Sequence, residues 1–202
     1  MQVADTESFF DAARLNYPRF CASPEVQVYG IPIKEAYHEV LFPEIADRRQ
    51  ADLFHFSGLG AGPRTPGNTI RKVYLCQAPA SIDQPGAILL FYKGKSTRRP
   101  PQAITTVGVF EDMAFARSVE ELRRLAGGRS VYSERQLLDW EASPERPVKV
   151  INFLLAGHIN PVISLSEMRS DGVILGPPQS ILRIARDRLN PILRRIHFGF
   201  EL

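Results

Sequence analysis

The chain is poor in cysteine, with Cys21 and Cys76 the only two among 202 residues. So few thiols cannot build a disulfide framework, and neither has a second cysteine or a histidine at metal-ligand spacing. The four histidines, His38, His55, His158 and His197, stand singly and compose no metal motif. No apolar run approaches the roughly 20 residues that a membrane span needs. The first residues carry Asp5 and Glu7 and no apolar h-region, so they do not read as a secretory signal, and a cytoplasmic location is expected. No P-loop, no Ser-His-Asp set and no Gly-x-Gly-x-x-Gly is readable. These absences leave phosphate-loop, dinucleotide and triad chemistry without support, and no cofactor or metal is expected.

What is present suits one globular domain, or a domain with an extension. Hydrophobic residues make up 44% and charged residues 23%, ordinary values for a chain that buries a sizeable core. The net charge of +3 is unevenly spread. Residues 1–60 hold five Lys/Arg against nine Asp/Glu, whereas residues 61–100 hold seven against one. Residues 151–202 are more weakly basic, with six against four. A local basic patch points to an anionic partner more directly than the overall balance does.

The patch centres on residues 86–110. Ala87–Tyr92 is a short apolar run, and Ala103–Phe110 is rich in Ile, Thr and Val, residues that favour a pleated surface. The turn between them carries Lys93, Lys95, Arg98 and Arg99, two prolines and no acid. Four cations beside Phe91 and Tyr92 supply charges for phosphates and an aromatic face for a base. The plainer alternative is a solvated turn whose charges discourage edge-to-edge strand pairing.

Around this hairpin the pattern alternates short strands with small helices. Helices are expected over Thr6–Asn16, Lys34–Leu41 and Ser118–Ala126, and strands over Val26–Ile33, Ile70–Gln77 and Lys149–Ala156. Ser133 and Gln136 form a capping box that opens a helix running to Trp140. Ser166 is a candidate N-cap for a brief helix, and Arg186–Ile196 reads as helical despite Pro191. Ser57–Asn68 (SGLGAGPRTPGN) reads as a linker and separates an acidic extension over 1–57 from a domain over 67–202. This order indicates an α+β fold with a mixed or antiparallel sheet; a doubly wound parallel sheet would need more, and more regularly spaced, helices.

The succession GNTIRKVYLCQAP, PGAILLFYKGK, QAITTVGVFE, RSVYS, KVINFLL and GPPQSILRI resembles the PUA-like superfamily, which includes ASCH, EVE and YTH-type domains. It is most similar to bacterial EVE/ASCH-like modules, some of which are fused to acetyltransferase domains. The likeness spans about residues 67–185; Ala87 stands where an Asp is typical, and the extension before residue 57 has no counterpart. The resemblance implies a small mixed or antiparallel β-barrel with peripheral helices. It also implies binding of RNA or DNA, with a modified base gripped in an aromatic-lined pocket in some members, and it leaves a protein partner open. A captured base needs a stacking face and a few hydrogen-bonding groups. The candidates are Tyr92, Tyr132, Trp140, Ser133, Gln179 and Ser180, with Arg71, Lys72, Lys93, Lys95, Arg98, Arg99 and Arg129 for phosphates. Each has a structural alternative: Trp140 in the core, Ser133 as a cap, Gln179 and Ser180 closing a turn.

Some ASCH domains resemble small amidohydrolases that bring a Lys, a Thr and a Glu together. Lys95, Thr97 and Glu111 offer those residue types, without the family's Gly-x-Lys-Thr-x-Thr-x-Arg pattern. A catalytic lysine must be desolvated to work near neutral pH, and Lys95 lies in a polar, cationic turn. The alternative activity is hydrolysis of an acylated nucleoside.

Overall fold

The computed structural model describes residues 8–43, 45, 70–95, 102–127 and 132–193. Six strands form one mixed sheet: β1 (Val28–Ile33), β2 (Arg71–Cys76), β3 (Ile88–Lys93), β4 (Ala103–Ala116), β5 (Val148–Ser164) and β6 (Leu182–Arg183), in the spatial order β2-β5-β4-β3-β1-β6. Only β1 and β3 run parallel; the other pairs are antiparallel. The helices are α1 (Phe9–Leu15), α2 (Glu35–Leu41), α3 (Val119–Ala126), α4 (Glu134–Leu138), α5 (Leu165–Ser170) and α6 (Arg186–Leu193). None of them is long and apolar enough to cross a membrane.

Strand β3 shows why the sheet is covered on both faces. All six of its residues are buried, and successive side chains of a strand point to opposite faces. Ile88, Leu90 and Tyr92 join one core with Phe10, Phe20, Val107 and Met168. Leu89 and Phe91 join the other with Ile31, Leu41, Phe42 and Phe153. A third cluster, Val73, Leu75, Leu122, Tyr132 and Leu137, sits under α3 and α4. Serine side chains cap four helices: Ser8, Ser118, Ser133 and Ser164. The cap of α5 is Ser164, not Ser166, because Ser164 pairs reciprocally with Glu167. Gly86 turns the chain into β3 with φ +88°, and a Cβ there would collide with the backbone of α1.

One expectation is corrected. The sheet is not a closed barrel, since β2 and β6 remain its edges. From the segment before residue 57, β1 lies between β3 and β6, and α1 contributes Phe10 and Ala13 to the core. The glycine-rich stretch 57–68 lies outside the described residues.

Pro32 explains where the sheet stays open. The carbonyls of Gln27, just before β1, and of Ile33, at its end, accept from Ile88 and Gly94, so both face β3. Val28 instead accepts from Ile184 on the β6 side. By this alternation Pro32 also faces the β6 side, where it has no N–H to give. Pairing with β6 covers only Tyr29 and Gly30. The Pro32 carbonyl instead accepts the Tyr74 hydroxyl of β2 at 2.9 Å. The sheet therefore curls until its far strand touches β1, and one side chain spans the seam in place of a backbone ladder.

Candidate functional site

A cavity of about 870 Å³ opens along this seam, within the range of small-molecule sites. Pro32 to Glu35 and Tyr37 form one wall, Tyr74 to Ala78 another; Trp140, Tyr92, Lys95 and the loop Pro177–Ile181 complete it. The aromatic walls are tied together. Tyr37 lies 5.7 Å from Tyr132 and 6.2 Å from Trp140 between ring centroids. The Gln77 amide donates to the Trp140 carbonyl at 3.1 Å, which holds the chain after α4 against the end of β2.

Two of the lining residues bury a polar atom with no hydrogen-bond partner among the described residues: the Tyr92 hydroxyl and the Trp140 indole N–H. A buried polar group left unpaired costs free energy, and such orphans are uncommon in folded proteins. Tyr92 is 2% exposed, and burial raises its phenol above the ordinary range, against a smaller opposing effect of Arg169. It therefore stays protonated and able to donate. Burial also pushes up the Tyr74 phenol and the Cys76 thiol, whose sulfur accepts the Ala78 N–H. A thiol held neutral in this way is a poor nucleophile. The rim is charged: Lys34 and Lys95 are exposed, and Arg146 pairs with Glu141 at 3.3 Å. Glu35 and Asp139 are the acids of the lining.

The sequence candidates distribute unevenly over this site. Tyr92, Lys95, Trp140, Gln179 and Ser180 all line the cavity. The Gln179 amide donates to Pro177 within its own turn, and the Ser180 hydroxyl reaches the Ile181 carbonyl at 3.5 Å. Lys93 does not point to solvent as a hairpin-tip cation would: it is 4% exposed and pairs with Glu35 at 3.4 Å. Lys72 is buried with its ammonium over the Phe42 ring, out of reach of an external phosphate. Arg71, on the edge strand, pairs with Glu111. Tyr132 is buried beneath the aromatic wall, and burial raises its phenol strongly. Ser133 is occupied as a cap. Arg98, Arg99, Arg129 and Thr97 lie outside the described residues.

Of the hydrolase set, Lys95 and Glu111 are not brought together. Lys95 follows the end of β3 that pairs with Ala103, while Glu111 stands beyond Val109 toward the other end of β4, engaged with Arg71. No group of three metal-ligating side chains occurs among the described residues. The sequence reading missed Tyr37, Tyr74, Gln77, Gln102 and Arg146 as lining residues. They come from segments far apart in the chain, and only the seam unites them.

A second polar assembly lies inside the curl of the sheet. The His38 ring meets the Thr105 hydroxyl at 2.7 Å, Thr105 meets Thr106 at 3.3 Å, and Thr106 meets His158 at 3.0 Å. The two histidine rings flank Phe42 at 5.2 and 5.9 Å. His38 and both threonines are buried, so this chain of bonds ties α2 to β4 and β5 inside the protein.

No family model matches the sequence, and no curated protein matches it. Solved structures do match. A tyrosine-to-phenylalanine variant of ASCH from Zymomonas mobilis superposes with a TM-score of 0.59 at 13% identity, over 84% of this chain and 99% of that one. A serine-to-alanine variant of the same protein gives 0.56 at 16%, over 87% and 100%. The unsubstituted protein gives 0.55 at 17%, over 84% and 96%. Identities this low speak for architecture alone, and that architecture agrees with the curled six-stranded sheet: the chain has the fold of ASCH proteins, consistent with a PUA-like fold.

Proposed function

We propose that the seam cavity binds a nucleobase of RNA or DNA, and that the protein is a nucleic-acid-binding module that reads a modified base. The observation that carries this reading is a cavity walled by Tyr37, Tyr74, Tyr92 and Trp140, two of which bury a polar atom with no hydrogen-bond partner among the described residues, the Tyr92 hydroxyl and the Trp140 indole N–H. Aromatic rings supply a stacking face to any base, and hydrogen-bond groups select its edge. Lys34, Lys95 and Arg146 at the rim offer charge to the flanking phosphates. The fold shared with ASCH proteins is compatible with this reading and does not decide it.

The test is binding of end-labelled single-stranded oligonucleotides, with and without base modifications, to the wild type and to Trp140→Ala. Loss of one stacked base is worth roughly 1–3 kcal/mol, a drop of about 5- to 150-fold. A Trp140→Ala variant that folds and binds as the wild type does would remove the cavity from the interface. Hydrolysis of an acylated cytidine that survives Glu111→Gln but not Lys95→Ala would move the proposal toward catalysis with a different acid.

A further inference from the structure

A smaller cavity of about 380 Å³ lies at the other half of β1, lined by residues 24–28 and by Arg183, Ile184, Ala185 and Arg186. Two guanidinium groups border it, and Glu25, itself exposed, is the one acid among the described residues of its lining. Arg186 is anchored: its Nη2 donates to the Ala22 carbonyl. Its Nη1 is buried and has no hydrogen-bond partner among the described residues. A guanidinium presents a fork of donors, and one arm of this fork is used while the other lacks an acceptor. Arg186 also opens α6, so the positive end of an eight-residue helix adds to the local field. Arg183 sits in β6 opposite Tyr29, whose hydroxyl is engaged by Asp83 at 3.0 Å and by Gln27. The Tyr29 side chain is thus satisfied by its neighbours, and the Arg183 head is exposed.

We infer that the Arg183–Arg186 cavity is a second site, one that holds a phosphate group. The chemistry is that of a phosphate monoester or diester: the two guanidinium groups that border the cavity match its charge and its oxygens. Its position gives it a role in the function proposed above, and this part rests on that reading. The chain that lines the base cavity at Ser180 and Ile181 continues directly into β6 and then into this site. From Ser180 to Arg183 an extended chain covers about 10 Å, the length of roughly three nucleotides in a stacked strand. A strand whose base occupies the seam therefore runs along the short edge strand and delivers a neighbouring phosphate to the two arginines.

The experiment follows the arginine Nε–H resonances of the full-length protein in phosphate-free buffer. Inorganic phosphate is one probe, and 5′-phosphorylated oligothymidylates of one to five nucleotides are the other. The expected result is a saturable shift of the Arg186 signal with inorganic phosphate that chloride at equal ionic strength does not produce. With the oligonucleotides, affinity rises by fivefold or more as the length passes about three nucleotides. That rise disappears in Arg183→Gln, an exposed position that leaves the core untouched, and in Arg186→Lys, which keeps the charge and removes the fork. A phosphate shift at Arg186 that no oligonucleotide length strengthens upholds this site and overturns its coupling to the seam. Absence of any phosphate-specific shift overturns the site, as does a length dependence that both variants retain.

Discussion

Replacing Tyr92 by phenylalanine removes one oxygen and preserves the ring that packs against Ile88, Leu90 and Ile104. The oxygen is buried, and among the described residues it has no hydrogen-bond partner. Leaving such a hydroxyl dry and unpaired costs roughly 1–3 kcal/mol relative to its hydrated state. Tyr92→Phe is therefore expected to stabilise the unliganded protein, by about 1 kcal/mol. With a urea m-value of about 2 kcal/mol/M, the midpoint moves up by about 0.5 M at unchanged slope. Binding moves the opposite way. If the hydroxyl is held unpaired so that a base can use it, the variant loses a hydrogen bond of about 1 kcal/mol, a roughly fivefold rise in Kd. The assay is a pair of measurements on one preparation: urea unfolding followed by circular dichroism, and oligonucleotide titration followed by anisotropy. Opposite signs are the signature of an orphan kept for a ligand. A variant less stable than the wild type, with affinity unchanged, would show that the hydroxyl has a structural partner and would refute the reasoning.

Four further outcomes are expected. Gly86→Ala forces a Cβ at φ +88° against Phe9 and, at 2.6 Å, the Phe10 nitrogen; thermal unfolding is expected to show a loss of more than about 2 kcal/mol. Ser133→Ala and Ser164→Ala each remove half of a capping box and cost about 1 kcal/mol in urea unfolding, while Ser133→Ala leaves oligonucleotide affinity unchanged. Glu35→Gln deprives the buried Lys93 ammonium of its carboxylate and destabilises by about 1–3 kcal/mol, part of which Lys93→Met in the same chain recovers. Burial raises the phenols of Tyr17, Tyr29, Tyr74 and Tyr92 and the Cys76 thiol. The unfolded chain therefore releases these protons at lower pH than the folded one. Stability from this source is intact below the ordinary values of 9.0 for the thiol and 10.0 for the phenols, and urea midpoints are expected to fall as pH rises past them.

The hairpin of β3 and β4 was legible because it is local: β-branched residues flank a turn, and hydrogen-bonded partners lie close in sequence. Helix α3 and the Ser133 box were legible for the same reason, each cap being satisfied within a turn. The fate of Lys93 was not. Its charge reads as exposed until the partner is known, and Glu35 arrives from α2, inside the acidic N-terminal segment. Lys72 is hidden likewise by Phe42, which α2 delivers over β2. Closure of the barrel was beyond local pattern, since it turns on Pro32 interrupting β1 just where β6 would continue. The seam cavity follows from that interruption, so Tyr92 and Trp140 could be named from their chemistry, whereas Tyr37 and Tyr74 could not be placed beside them.

Trp140 is the single tryptophan of the chain, so its emission reports on the seam and nowhere else. Titrating the protein with short single-stranded RNA and DNA, modified and unmodified, across a salt series tests the central claim most directly. The account requires a saturable change in Trp140 emission that weakens as salt rises, is strongest for one modified base, and is competed by the free nucleoside. Oligonucleotide binding that leaves Trp140 emission unchanged, or no binding at low salt, would contradict it.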